Sequence, residues 1–426
     1  MMCTRGKVVQ ARLIWTGNGF EGPLQIRCDC QGTITEIGKD VAKDDEEVVD
    51  LGSKVLLPGF INAHSHAFHR QMRGRSQIGA SEEESFWKWR EDMYATVEEI
   101  DFQKLYDYSL ATFKEMISAG ITSVGEFHYV HHGEKRFELD QAVLKAAHDA
   151  GIRIILIDTL YYRGGFDGRE LETAQKKFEA NFDEFIKSFE DIQSSLLENQ
   201  YSIVAAHSLR AVSLEDCKKL TKWSAEAHKP IHIHVEEQPQ EIKDCLAFTG
   251  KTPSDLILSH LAPFGANITA VHCSFTSQRN MISLGNASIN VCICPLTEGF
   301  LGDGIPEIVE ESRICIGTDC NNRISILEEL RSLTYSQHTK RNCRSVFGLN
   351  AKKLLEIATI NGARSLGLQD IVGQFEVGKQ FDYVAFNLNS PRLKSQPSEL
   401  LDAIIFGGGN EDISEVSVSG VVVYKN

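Results

Sequence analysis

The stretch PIHIHVEE, residues 230 to 237, joins a short run of apolar residues to ionisable side chains at its end. The chain repeats this theme eight times, and segments with apolar residues at helical spacing separate the repeats. The runs are KVLLPGFINAH (54 to 64), ITSVGEFHYV (121 to 130), IRIILIDTLY (152 to 161), YSIVAAHSL (201 to 209), PIHIHVEE (230 to 237), ITAVHCS (268 to 274), ASINVCICP (287 to 295) and ICIGTD (314 to 319). Such continuous apolar runs are typical of parallel strands covered on both faces. Eight strands, each followed by a helix, predict a closed (β/α)8 barrel.

Glycines mark the ends of two of the predicted helices. FQKLYDYSLATFKEMISAG ends in Gly120, and Gly151 follows DQAVLKAAHDA. Glycine adopts the left-handed conformation that commonly ends a helix. Both glycines therefore support a helix before the next strand.

The two ends of the chain have a different pattern from the middle. Residues 1 to 53 contain the strand-like pieces KVVQARLIW, LQIRC and GTITEIG, and residues 374 to 426 contain DYVAFNL and EVSVSGVVVYK, without helical periodicity. We predict that both ends together form a small β-sandwich domain. Residues 54–373 would form the catalytic barrel domain.

Composition restricts the class of partner. The 426 residues include 44 basic and 59 acidic ones, a formal net charge of -15, with 42% hydrophobic residues. Such a field repels nucleic acid and anionic membranes. We also find no apolar run of about 18 residues and no signal-peptide core, so we expect a cytoplasmic protein. Eleven cysteines at scattered spacings predict buried, reduced thiols.

Ionisable residues stand where the predicted barrel strands end. His64 and His66 end the first run, His234 and Glu237 the fifth, His272 the sixth and Asp319 the eighth. In barrels of this type the chemistry lies at the carboxyl ends of the strands. Imidazoles and a carboxylate are ligands of zinc or another divalent transition metal. The pattern predicts one divalent metal ion, and Glu237 is placed to transfer protons.

Longer motifs resemble a known family. Eight motifs follow one another in the order found in the amidohydrolase superfamily. They are LPGFINAHSHAFHRQMRG, SFWKWREDMY, EFHYVHH, HSLRAV, HIHVEEQPQEIKDCLAFTG, TEGFLGDGI, IGTD and the closing GQFEVGKQFDYVAFN. Within it, the chain closely resembles the formimidoylglutamate deiminases. The resemblance implies metal-dependent hydrolysis of N-formimidoyl-L-glutamate to N-formyl-L-glutamate and ammonia, a step of histidine degradation.

The resemblance also implies a role for each matching residue. His64, His66, His234 and Asp319 would hold the metal, most simply Zn²⁺. Glu237 would be the proton shuttle and His272 a second catalytic residue beside the reacting water, with Asp319 completing the catalytic set. The substrate pocket would be lined by His69, Arg90, Tyr129, His207 and Arg210. Guanidinium groups match carboxylates bidentately, so the two arginines would hold the glutamate carboxylates.

Two positions depart from the family. His69 stands where the family usually has a pocket glutamine, and Asn321 stands where it tends to have histidine. Both departures concern the identity of the substrate more than the reaction.

Several of these residues also have plainer interpretations. Arg90 could pair with Glu91 or Asp92 on a helix surface, Arg210 could cap a loop, and Tyr129 could be a strand-end aromatic residue. Glu298 could contact the site or lie in a solvated loop. His128, His131 and His132 are interpreted as structural.

Two rival functions remain open at this stage. A related deaminase acting on a purine, a pyrimidine or another amidine would share every metal residue. An inactive barrel used as a scaffold is the other. We expect a small anionic substrate and a homodimer, with no nucleic-acid or membrane partner.

Overall fold

Seven short strands precede the barrel. The computed structural model describes residues 3–44, 46–75 and 85–426, and in the first helix the side chains from Lys88 onward, so the side chains of Ser85, Phe86 and Trp87 in the SFWKWREDMY motif lie outside the described part. The strands are β1 (Val8–Ala11), β2 (Leu13–Trp15), β3 (Phe20–Glu21), β4 (Leu24–Cys28), β5 (Ile34–Gly38), β6 (Val48–Asp50) and β7 (Lys54–Pro58).

Eight parallel strands then form one sheet in which the neighbours in space are also neighbours in the chain. They are β8 (Phe60–Ser65), β9 (Ile121–His128), β10 (Arg153–Leu160), β11 (Gln200–Ser208), β12 (Ile231–Val235), β13 (Ile268–His272), β14 (Asn290–Ile293) and β15 (Arg313–Ile316). A parallel bridge between Ser65 and Asp319 joins the last strand to the first. The predicted (β/α)8 barrel is confirmed.

Helices cover the outside of the barrel. They are α1 (Ser85–Glu98), α2 (Phe102–Ser118), α3 (Glu138–Ala150), α4 (Phe182–Ser195), α5 (Leu214–Glu226), α6 (Pro239–Thr249), α7 (Pro253–Leu256), α8 (Gln278–Asn286), α9 (Pro295–Leu301), α10 (Ile326–Arg341), α11 (Ala351–Ala358), α12 (Ile360–Ser365) and α13 (Leu400–Asp402). Gly151 ends α3 with a φ of 84°, and Gly120 has a φ of 85° two residues after α2. Both glycines lie where the sequence predicts them.

Three strands at the end of the chain pair with strands from its beginning. β16 (Tyr383–Asn387), β17 (Ile413–Val418) and β18 (Val421–Lys425) join β7, β2 and β3 in a six-stranded sheet, and β5, β4, β1 and β6 form a four-stranded sheet. Apolar side chains from both sheets, such as Ile26 and Tyr383, share one buried core. The two ends of the chain therefore form a β-sandwich, as predicted. The division into domains at 53/54 and 373/374 stays a prediction.

Two details differ from the sequence-based expectation. The run at 54 to 64 is not one barrel strand, because Lys54–Pro58 pairs with β16 and β2, and only Phe60–Ser65 enters the barrel. Gly59 lies at the break, where a Cβ atom would stand 2.2 Å from the Thr122 hydroxyl oxygen. In the C-terminal part, α13 continues into a single π-helical turn at Ala403–Gly407. This piece is too short to produce a periodic pattern in the sequence.

A buried ion pair ties the barrel to the C-terminal part of the chain. The guanidinium group of Arg153, on β10, donates to both carboxylate oxygens of Asp382 and to the hydroxyl of Ser419. Neither member of the pair is exposed to solvent. Removing one partner would leave a buried charge uncompensated, which costs about 3 to 5 kcal/mol in known cases.

No described helix has both the length and the apolar character needed to cross a membrane. The eleven cysteines, all within the described residues, are free thiols, and only Cys3, Cys30 and Cys343 are exposed. The expectation of mostly buried thiols agrees with this arrangement.

Candidate metal centre and active site

The ends of three strands bring the four predicted metal ligands together. His64 lies on β8 and His66 directly follows that strand, His234 lies on β12, and Asp319 lies three residues beyond β15. The Nε2 atoms of His64 and His234 are 3.2 Å apart. An Asp319 carboxylate oxygen lies 3.6 Å from His64 Nε2 and 3.3 Å from His66 Nε2. All four side chains are buried, so the donor atoms face one another and not the solvent.

Backbone carbonyls fix the orientation of two of these rings. His66 Nδ1 donates to the Phe127 carbonyl oxygen at 2.8 Å, and His234 Nδ1 donates to the His207 carbonyl oxygen at 3.0 Å. The Nε2 lone pair of each neutral ring therefore points toward the cluster. Burial lowers the pKa of His64 to about 3, which favours the neutral, ligating form. Three imidazoles and one carboxylate with converging lone pairs fit a divalent metal ion.

Beside this cluster lie two residues predicted to be catalytic. Glu237 Oε1 is 3.8 Å from His272 Nε2, and His272 Nε2 is 3.8 Å from an Asp319 carboxylate oxygen. Burial disfavours a charged His272, but Glu237, Asp319 and Glu298 outweigh it and raise the pKa of His272 to about 10. Burial raises the pKa of the Glu237 carboxyl above its ordinary value, which suits a group that must both accept and release a proton.

Glu298 belongs to the site and not to a solvated loop. It lies on α9, is 2% exposed, and its Oε1 is 3.5 Å from His272 Nδ1. The same oxygen accepts the Cys294 backbone N–H at 2.9 Å. The Glu298 carboxylate therefore faces the Nδ1 edge of the His272 ring, while Glu237 lies nearer its Nε2. Of the two interpretations that the sequence left open, the structure favours the contact with the site.

Glu236, which sequence reasoning missed, anchors the loop that carries Glu237. It has a left-handed backbone with a φ of 52° and is 1% exposed. Its carboxylate accepts the Ser254 backbone N–H at 2.8 Å, the Ser254 hydroxyl at 2.7 Å and the Thr276 hydroxyl. Its carbonyl oxygen accepts the Phe275 N–H at 3.2 Å. Glu236 thus ties the loop after β12 to the loop after β13, which follows His272.

A cavity opens over the four predicted metal ligands, called the metal cluster below, and contains the predicted pocket residues. Its lining, among the described residues, consists of His66, His69, Trp89, Arg90, Met93, Tyr94, Tyr129, Tyr161, Phe178, His207, Arg210, His234, Glu237, His272, Asp319 and Cys320. The structure therefore brings His69, Arg90, Tyr129, His207 and Arg210 into one cavity with Glu237. Arg90 is on α1, with its guanidinium carbon 5.5 Å from the centre of the Tyr94 ring.

Arg210 is half-buried in the wall of this cavity, after β11. Burial opposes its charge, but Tyr161, Glu241 and Glu237 raise its pKa above the ordinary arginine value. Among the described residues it forms no hydrogen bond within 3.5 Å and no ion pair within 4.0 Å, unlike Arg163, which donates to the carbonyl oxygens of Leu209 and Val212. A guanidinium in this state can accept a carboxylate ligand without first breaking a protein contact.

His69 and Tyr129 are linked to each other in the pocket. His69 Nε2 lies 3.0 Å from the Tyr129 hydroxyl, while the buried Nδ1 of His69 has no hydrogen-bond partner among the described residues. Burial holds the pKa of His69 well below its ordinary value, so the ring is neutral. With Nε2 engaged by Tyr129, the His69 ring has only Nδ1 left for a ligand, as donor or acceptor according to the tautomer, whereas a glutamine amide carries both a donor and an acceptor. Histidine in place of the family's glutamine at position 69 therefore changes which hydrogen bonds the pocket offers to a substrate.

Other pocket residues were missed by sequence reasoning. Tyr161 ends the third run, so its strand-end position was a usable signal, and its hydroxyl accepts the Gln175 side-chain N–H at 2.9 Å. Trp89, one residue before Arg90, packs its ring 5.2 Å from that of His69. Phe178 ends a short 3-10 helix, Thr173–Phe178, whose sequence carries no such signal.

His128 and His131 form a separate cluster away from the cavity. Asp140 Oδ1 lies 3.0 Å from His128 Nε2 and 2.8 Å from His131 Nδ1. His131 Nε2 donates to the Thr159 carbonyl oxygen at 2.9 Å. Although burial opposes its charge, Asp140 raises the pKa of His131 to about 9. His132 bonds the Glu179 carbonyl oxygen at 2.9 Å. These contacts agree with the structural interpretation of the three histidines.

Comparisons with known proteins agree with this architecture. The profile of the amidohydrolase family matches residues 55–423. A formimidoylglutamate deiminase from Pseudomonas aeruginosa is 31% identical over 96% of this chain and 92% of its own. A 5-methylthioadenosine/S-adenosylhomocysteine deaminase from Syntrophomonas wolfei is 27% identical over 92% of this chain and 87% of its own. The crystal structure of an amidohydrolase from Brucella melitensis superposes with a TM-score of 0.86 at 29% identity, covering 98% of this chain and 94% of that one.

Proposed function

The chain belongs to the amidohydrolase family, whose members similar to it hydrolyse C–N bonds, and we propose that it is a metal-dependent deiminase acting on N-formimidoyl-L-glutamate. The products would be N-formyl-L-glutamate and ammonia, a step of histidine degradation. The observation that carries the proposal is Arg210, a charged group without an ion pair among the described residues, in the same cavity as Glu237 and the metal cluster. The relative that is 31% identical bears the name of this activity.

We propose that His64, His66, His234 and Asp319 hold one divalent ion, with zinc as the metal that their donors suit best. Such an ion would supply Lewis acidity and a water molecule of lowered pKa. The carbonyl oxygens of Phe127 and His207 keep two of the imidazoles aimed at it. The residues present therefore fit the group that the family implies.

The chain's own residues can carry the proton transfers. Water adds to the C=N carbon while Glu237 accepts a proton from that water, and Glu237 then delivers the proton to the nitrogen that leaves. Glu237 next takes the remaining proton of the added hydroxyl and delivers it to the same nitrogen, so that the C–N bond breaks, ammonia departs, and the formyl C=O remains on the glutamate nitrogen. His272, held between Glu237 and Glu298, hydrogen-bonds the developing oxyanion, and Asp319 beside it favours its charged form.

The substrate carboxylates would lie at the arginines. Arg210 and Arg90 stand in the wall of the cavity, and each guanidinium can take one carboxylate in a bidentate contact. Tyr129 and His207 would shape the space between the carboxylates and the reacting imine, and His69 would contact the substrate through Nδ1, which has no hydrogen-bond partner within the described part of the chain. The binding of the remote carboxylates would align the imine over the metal cluster.

The rival is a deaminase of a nucleoside or another amidine, and the relative from Syntrophomonas wolfei favours it. The decisive experiment measures ammonia release by the zinc-loaded protein on N-formimidoyl-L-glutamate, 5-methylthioadenosine and S-adenosylhomocysteine. We expect kcat/KM for N-formimidoyl-L-glutamate to exceed the others by at least about 100-fold, since two charge-assisted contacts are at stake. Higher efficiency on either nucleoside would refute the proposal. The homodimer and the cytoplasmic location remain predictions.

A further inference from the structure

Side-chain hydrogen bonds and a short stretch of backbone pairing close the seam between β8 and the segment that follows β15. Asn62 Nδ2 donates to the Thr318 hydroxyl at 2.7 Å, and the Thr318 N–H returns to Asn62 Oδ1 at 3.0 Å. The Thr318 hydroxyl in turn donates to Asn321 Oδ1 at 2.6 Å. At Gly317 a Cβ atom would stand 2.8 Å from the His64 carbonyl oxygen, so the two segments approach too closely for a larger residue.

Asn321 lies at the end of this chain of hydrogen bonds. Its Nδ2 is 3.0 Å from each of three oxygens, which are the Ser65 hydroxyl, the His66 carbonyl and the Asp319 carbonyl. The residue is fully buried, and its backbone has a φ of 54°. Asparagine tolerates this left-handed conformation better than most residues.

Two of those oxygens belong to the backbones of His66 and Asp319. The side chains of these two residues, on opposite sides of the seam, approach to 3.3 Å. The backbones on the two sides of the seam pair over only a short stretch. There the His66 N–H donates to the Asp319 carbonyl oxygen at 2.9 Å, and the Asp319 N–H donates to the His64 carbonyl oxygen at 3.0 Å. The amide of Asn321 therefore adds a contact to each ligand residue at once.

We propose that Asn321 is a positioning residue of the metal centre, because its side-chain amide sets the spacing between His66 and Asp319 across the barrel seam. The inference rests on the proposed function only in taking these two residues as ligands. Arg73 supports Asn321 from outside the barrel, since its guanidinium donates to the Asn321 carbonyl oxygen at 2.9 and 2.6 Å. Arg73 also pairs with Glu115 at 2.9 Å, which keeps the guanidinium in place.

The test is Asn321→Asp, which keeps the shape of the side chain but places a carboxylate oxygen against three oxygens. The matched control is Asn361→Asp. Asn361, on α12, donates from Nδ2 to the Ile314 carbonyl oxygen at 2.9 Å, so the same chemical change acts on β15, the strand that leads to Asp319, but away from the ligands. Both variants lose an amide donor to a backbone carbonyl, and only the first of these amides reaches His66 and Asp319.

The measurements are the zinc dissociation constant by chelator competition, the visible spectrum of the cobalt-substituted protein, and the unfolding midpoint of the metal-free protein. We expect Asn321→Asp to weaken zinc binding by about 10- to 100-fold and to alter the cobalt spectrum, as is typical when a group behind a metal ligand is changed. Asn361→Asp should lower the unfolding midpoint but leave the zinc affinity within about threefold of wild type.

Three outcomes would overturn the proposal. The first is a folded Asn321→Asp protein with wild-type zinc affinity and cobalt spectrum. The second is an equal loss of affinity in Asn361→Asp, which would make the effect one of general stability. The third is a wild-type protein that binds no metal, and this result alone would also remove the metal centre from the proposed function.

If Asn321→Asp does not fold, Thr318→Val, which removes the hydroxyl that orients the Asn321 amide, should still weaken zinc binding severalfold, and unchanged affinity there would refute the proposal.

Discussion

Replacing Arg210 with methionine should remove one carboxylate partner of the substrate while keeping the apolar stem of the side chain. The guanidinium is half-buried and makes no ion pair among the described residues, so the change breaks no internal charge pair. A hydrogen bond to a charged group is worth about 1.5 to 3 kcal/mol, so losing this contact should lower kcat/KM about 10- to 150-fold. Because the carboxylate contact also aligns the imine, kcat should fall together with affinity.

The assay compares N-formimidoyl-L-glutamate with an N-alkyl formamidine, which has the reacting group but no carboxylate. Arg210→Met should lower the efficiency on the first compound and leave the second nearly unchanged. The control is Arg163→Met, since Arg163 holds the carbonyl oxygens of Leu209 and Val212 in the same loop. That variant should affect both compounds to the same extent. An Arg210→Met protein that keeps wild-type preference for the charged compound would refute the assignment and favour a nucleoside substrate.

The remaining predictions concern the proton shuttle, the metal and the pH dependence of stability. Glu237→Gln should keep its metal but lose activity about 10²- to 10⁴-fold, and near wild-type turnover would exclude Glu237 from the mechanism. Elemental analysis should find about one divalent ion per chain, and two ions would contradict this, since the cluster around His64 brings four candidate ligands together, whereas the group of His128, His131 and Asp140 offers three and both His131 nitrogens already form hydrogen bonds. The folded protein raises the pKa of His131 from 6.5 to about 9, so its contribution to stability is complete below pH 6.5 and disappears as the pH rises through 9. Urea unfolding should therefore show wild type losing up to about 3 kcal/mol relative to His131→Gln between pH 6 and pH 9.5, and parallel curves would count against a charged His131.

The sequence alone predicts those site residues whose place in the fold follows from the end of a single strand. His64, His66, His234 and Asp319 each end an apolar run, and a barrel necessarily gathers the ends of its strands at one rim. Their proximity therefore follows from the fold, and the structure brings them within a few ångströms of one another.

Residues whose position depends on a distant partner were not predictable in this way. Glu236 is one of two adjacent glutamates in HVEE, and nothing in that pattern shows that it would turn inward to meet Ser254 and Thr276. Arg153 lies inside an apolar strand, and its partner Asp382 is 229 positions away in the chain. Hydrophobic periodicity carries no information on such pairs, because it reports which face of an element is buried and not what meets it there.

The closure of the barrel by Asn62, Thr318 and Asn321 has a consequence for how the protein folds. The hydrogen bond between Asn62 and Thr318 joins residues 256 positions apart, so these groups can meet only after the intervening strands have been placed. Because the proposed ligands His66 and Asp319 flank that contact, we expect the complete ligand set to form, and a divalent ion to bind, late in assembly. In refolding experiments the cobalt spectrum should therefore develop after the backbone circular dichroism signal, and the metal would report that the barrel has closed.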